Sequence, residues 1–160
     1  MTQKVVIVPC SGIGKSYGSV AREGAFVVTE DLRPDTTQLV PLSLLVLGDE
    51  QARADVSDAR AITIDGCKLA CATKMLAESG GTVTHDPSAP PRVSLAVLDV
   101  YRRHRDLKPA GIAELNEGGQ ELAQALAEEV VALVDTLSTA DSVPLSQSEG
   151  RRAGDGGRDA

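Results

Sequence analysis

Aromatic side chains are almost missing from this chain: no Trp, one Phe and two Tyr among 160 residues. Any core must therefore be packed from Val, Leu, Ile and Ala, and there is no platform on which nucleic-acid bases would stack. Basic charge is also short, with 16 Lys and Arg against 23 Asp and Glu, a formal net charge of −7. That balance argues against a nucleic-acid or anionic-membrane partner. Long apolar runs are missing too. The longest, from about Leu39 to Leu47, falls far short of the roughly 20 residues that span a bilayer. No basic segment precedes the first β-branched run, and Pro9 cuts that run off, so no secretory signal is expected. Cysteine is scarce and odd in number, three in all. Together these absences imply reduced thiols in a cytoplasmic protein rather than a disulfide framework.

What is present suits one domain with a sizeable core. The stretch around which the chain is organised is 61–73, AITIDGCKLACAT. It starts as a short β-branched run, turns at Asp65-Gly66 and delivers Cys67 and Cys71. Helix formers then run from Ala70 to Ser79, so strand, turn and helix are predicted, with the two cysteines stacked four apart on one helical face. The third cysteine arrives the same way. Lys4 to Val8 reads as a strand buried on both faces, followed by Cys10 and a glycine loop, Ser11 to Lys15, that opens a helix at Ser16.

That helix is expected to reach about Leu32, with a strand over Val27 to Thr29 as the competing reading, and Arg33-Pro34-Asp35 breaks it. Pro41 suits the first turn of an apolar segment ending at Gly48, and Asp49 the cap of a short helix from Glu50 to about Ser57. Gly80-Gly81 stops the central helix. A third strand is predicted at Thr82 to Thr84, ending at His85. Ser94 is read as the cap of a helix through Leu95, Leu98, Val100 and Tyr101, closed by the basic cluster 102–105. Gly118-Gly119 precedes the clearest helix, whose apolar stripe is Leu122, Leu126, Val130, Leu133 and Leu137. From Ser138 on, Ser, Gly, Asp and Arg dominate. The expected organisation is a domain over 1–137 and a disordered tail over 138–160.

Strands alternating with helices imply a three-layer α/β domain with a small, mostly parallel sheet. In such sheets ligands gather beyond the carboxyl ends of the strands, which is where Cys10, Cys67, Cys71 and His85 would lie. Three thiols at strand ends point to a thiophilic metal, zinc first. Zinc takes about four N or S ligands, so His85 or a small exogenous ligand would complete the set. Asp65 is expected to cap the helix that follows it or to orient a ligand. Two other readings concern Cys10. Ahead of a helix N-terminus and near Lys15, its thiolate could serve an enzyme or a sulfur carrier. Gly14-Lys15-Ser16 also copies the end of a phosphate-binding loop, which makes Ser11, Gly12, Gly14, Lys15 and Ser16 candidate nucleotide contacts. The first glycine of that motif, however, falls on Pro9. The plain alternative for these glycines is a turn that needs positive φ.

The segments PCSGIGK at 9–15, REGAF at 22–26, LVPLSLLVLGDE at 39–50 and above all IDGCKLACA at 64–72 resemble the DGC-domain family, over most of the chain from Val5 to about Asp135. The resemblance implies a small bacterial or archaeal cytosolic protein of a family proposed to chelate zinc through four cysteines. Cys10, Cys67 and Cys71 match that set. The fourth cysteine, expected between the first motif and IDGC, has no counterpart. The resemblance implies no particular reaction.

Overall fold

The computed structural model describes residues 3–80 and 91–139. Four strands, β1 Val5–Pro9, β2 Thr37–Leu39, β3 Ala61–Asp65 and β4 Arg92–Ala96, form one sheet in the order β2-β1-β3-β4. Every pairing is parallel, with Val6 opposite Ala61 in one ladder and Ala61 opposite Arg92 in the next. The two central strands are buried along their whole length, as expected of strands covered on both faces.

The period-2 geometry of β1 divides the core. Val5 and Ile7 join one apolar cluster, together with Ile62, Ile64 and the helices α1 Ser16–Phe26, α5 Val97–Arg103 and α6 Glu117–Thr139. Val6 and Val8 join the other, under α2 Leu42–Leu47, α3 Glu50–Ser57 and α4 Cys71–Gly80. The result is the three-layer α/β domain expected from the alternation of strands and helices. No helix among the described residues is long and apolar enough to cross a membrane.

Several local signals act as the sequence implies. Gly48 takes the left-handed conformation that ends α2, and the Asp49 carboxylate accepts the Ala52 N–H at 2.8 Å to start α3. The α1 helix continues as a π-helix over Val27–Leu32, not as a strand. Arg33 follows, and its guanidinium makes two hydrogen bonds, each 2.9 Å, to the Asp135 carboxylate on α6. On α6 the buried stripe runs through Leu122, Leu126, Val130, Val134 and Leu137. Val134 takes the place expected of Leu133, which is only partly buried. Each fully buried Leu or Val contributes roughly 1.5–3 kcal/mol. Gly24 lets α1 approach this stripe, because a β-carbon there would lie 2.7 Å from Leu126 Cδ2.

Two expectations about the elements change, and one strand is unforeseen. Ser94 caps no helix. Pairing with β3 draws Arg92–Ala96 into the sheet, α5 begins only at Val97, and the Ser94 hydroxyl meets Thr73 Oγ1 at 2.9 Å. Edge strand β2 has three residues with only one large apolar side chain, so it leaves no periodic trace. Helix α6 starts before its glycines, since the Asn116 side chain accepts the Gly119 N–H at 2.8 Å. The predicted strand at Thr82 to Thr84, His85 and nearly all of the polar tail lie outside the described residues.

Candidate metal centre

The chain runs from β1 to β2 on one side of the sheet and then crosses to β3 on the other side of β1. The direction of winding therefore reverses between β1 and β3, and in sheets of this kind the crevice beyond the carboxyl ends of those strands is where ligands bind. Both thiol-bearing loops emerge there. The Cys10 N–H extends the ladder by donating to the Ile64 carbonyl at 2.8 Å, which brings Cys10 alongside the end of β3.

After half-buried Cys10 the chain makes a tight loop. Ser11 is exposed, Gly12 and Gly14 have φ of 78° and 89°, and Lys15 is the extended residue before α1, whose first residue is Ser16. A β-carbon on Gly12 would sit 3.2 Å from the Gly18 carbonyl oxygen and 3.3 Å from Arg22 Nη1. The loop thus folds back on α1 and uses its glycines for positive φ and close approach.

On the other side Asp65, 5% exposed, ends β3. Its Oδ1 accepts the Ala72 N–H at 2.9 Å, and its Oδ2 accepts the Thr73 hydroxyl at 2.5 Å. Thr73 Oγ1 is also 2.8 Å from Thr63 Oγ1 and 2.9 Å from Ser94 Oγ. Because the single Thr73 proton goes to the carboxylate, the Thr63 and Ser94 hydroxyls donate to Thr73. The expected capping role of Asp65 is present, and this hydroxyl cluster ties the start of α4 to β3 and β4. Sequence reasoning misses the cluster because it places Ser94 in a helix.

The cap decides where α4 begins, at exposed Cys71. Half-buried Cys67 lies before the helix, in a turn closed by the Ala70 N–H donating to the Cys67 carbonyl at 3.1 Å. Ala70 stands at φ 51°, a left-handed conformation that costs a non-glycine residue roughly 1–2 kcal/mol. Cys67 and Cys71 therefore do not share a helical face, contrary to expectation.

The two loops meet on α1. A β-carbon on Gly66 would lie 2.6 Å from Gly18 Cα, and one on Gly18 would lie 3.4 Å from Cys10 Sγ. All three cysteines are free thiols. Among the described residues, however, no group of three or more His, Cys, Asp or Glu side chains is gathered tightly enough to hold a metal ion. Three exposed apolar residues belong to the segments at this crevice, namely Ile13 at 85%, Leu69 at 58% and Ile112 at 49%. Ile112 is held there by its carbonyl, which accepts the Ser19 hydroxyl at 2.5 Å.

The family model of the DGC domain matches residues 6–117, well over half of the chain, and takes in both thiol loops. Searches of curated proteins and of solved structures give no match.

Proposed function

The chain belongs to the DGC-domain family, and we propose that it is a cytoplasmic protein that binds zinc or a similar thiophilic ion through Cys10, Cys67 and Cys71, in a metal-handling or accessory role. The observation that carries this reading is the contact of both thiol loops with one residue, Gly18. Two loops far apart in sequence bring soft donors to the same strand ends, and free thiols, once deprotonated, suit a borderline-soft ion. The donor chemistry fits zinc. The loops, rather than a finished coordination shell, support the proposal, and the Cys67 to Ala70 turn is the part that would have to adjust. His85 or an exogenous ligand would take the fourth position. A bound ion would supply a Lewis-acidic centre at the mouth of the crevice.

Alkylation separates this reading from a thiol enzyme or sulfur carrier that uses Cys10 alone. In metal-free, reduced protein all three thiols should react with iodoacetamide, and added zinc should protect them together. Rapid labelling of Cys10 that zinc leaves unchanged would favour the thiol-chemistry reading.

A further inference from the structure

Beside the thiol crevice, α1 and the loop before α6 enclose a cleft of about 220 Å³. That is far more than the roughly 30 Å³ a water occupies and less than the roughly 300–1,000 Å³ of sites for drug-sized ligands. One wall is α1, with Arg22 and Glu23, and the other is the loop with Ala113, Glu114 and Leu115. The hydrogen bond from Ser19 to the Ile112 carbonyl fixes the second wall to the first.

The charges in this cleft do not neutralise one another. Among the described residues the side chains of Arg22, Glu23 and Glu114 make no ion pair or hydrogen bond. The guanidinium of half-buried Arg22 lies close to Gly12, where an added β-carbon would stand 3.3–3.4 Å from it. That guanidinium, without a partner among the described residues, presents a planar fork that matches a carboxylate. A simple anion would meet two carboxylates as well, and a simple amine would meet the arginine. A molecule carrying both charges satisfies every group.

We propose that this cleft binds a small zwitterion of the α-amino-acid type, its carboxylate on Arg22, its ammonium on Glu23 and Glu114, and its side chain against Ala113 and Leu115. The site is independent of the metal reading, since none of its groups is a thiol. Calorimetric titration of the full chain with glycine, L-serine, L-leucine, sodium acetate and methylammonium tests it. At least one amino acid should bind saturably, acetate and methylammonium should bind at least tenfold more weakly, and Arg22→Gln and Glu114→Gln should each weaken amino-acid binding at least tenfold. Cys67→Ser should bind the amino acid as wild type does, whatever happens to metal. If Arg22→Gln does not fold, the Glu114→Gln variant, on an exposed loop, carries the test. No saturable amino-acid binding, acetate binding as tightly as the amino acid, or unchanged affinity in the folded variants would overturn the proposal.

Discussion

A β-carbon on Gly66 would fall 2.6 Å from both the amide nitrogen and Cα of Gly18. The turn after β3 therefore rests on the first turns of α1 with no room for a side chain, and this contact sets how near the Cys67 loop comes to Cys10.

Gly66→Ala should accordingly be destabilising, because backbone cannot move aside as the end of a flexible side chain can. Forced overpacking of this kind costs about 1–3 kcal/mol. At Gly18 the contacts of an added β-carbon are looser, 3.0 Å to Gly12 Cα and 3.4 Å to Cys10 Sγ, and the gain in helix propensity is about 1 kcal/mol. Urea unfolding should rank Gly66→Ala well below Gly18→Ala. Equal midpoints would mean that the two loops are not held by this contact.

Asp65→Ala removes the acceptor for the Ala72 N–H and for the Thr73 hydroxyl. Loss of a cap costs about 0.5–2 kcal/mol, while the half-buried Thr73 hydroxyl keeps Thr63 and Ser94 within hydrogen-bond reach. A loss of about 1–2 kcal/mol is expected in chemical denaturation, and Asp65→Asn, which keeps one oxygen acceptor, should lose less. Amide exchange at the start of α4 should quicken in the alanine variant. Unaltered exchange there would show that another group caps the helix.

The pairing of α1 with α6 should be strongly non-additive. Leu126→Ala empties a fully buried site and should cost about 2–5 kcal/mol. Gly24→Ala drives a β-carbon to 2.7 Å from Leu126 Cδ2. Combining the two lets the new methyl occupy part of the vacated space, so the double variant should lose less than the sum of the single ones. Simple additivity in denaturant titrations would contradict the contact.

The hydrogen bond from Arg33, aided by its charge, holds the Asp135 carboxyl below the ordinary aspartate value despite some opposing desolvation. A depressed native value means stabilisation that is fully present above the unfolded value, about 3.9, and is lost as pH falls through the native one. Asp135→Asn should therefore lose stability at neutral pH and converge with wild type in acid. The difference should be small and should shrink in high salt, because the side chains are 37% and 52% exposed. A gap between wild type and variant that widens toward acid would reverse the assigned sign.

Much of this architecture is legible in the residues because its signals are local. Asp49 and Gly48 act through neighbours three or four positions away, and the uninterrupted apolar run of β1 implies a strand covered on both faces. The failures are non-local. Ser94 has the chemistry of a cap, but parallel pairing with β3 decides its place. Cys67 and Cys71 have helical spacing, yet a carboxylate from the preceding strand starts the helix at Cys71. Arg22 looks like any exposed residue of an amphipathic helix, and only the folded loop around Gly12 makes its lack of a partner visible. The thiol loops themselves are legible, since Cys10 directly follows the run of β1 and Gly66-Cys67 directly follows that of β3. Their contact through Gly18 requires the sheet order.

Cobalt titration of reduced, untagged, metal-free protein measures the proposed thiolate centre most directly, because its visible spectrum reports both the number of sulfur donors and the coordination number. Thiolate-to-metal absorption should saturate at about one ion per chain, zinc should displace it, and Cys10→Ser, Cys67→Ser and Cys71→Ser should each weaken binding sharply. His85→Ala should weaken it at least tenfold if the imidazole is the fourth donor, and leave it unchanged if the fourth position is exchangeable. Wild-type protein that takes up neither cobalt nor zinc, or that binds either one equally well after all three serine substitutions, would contradict the assignment.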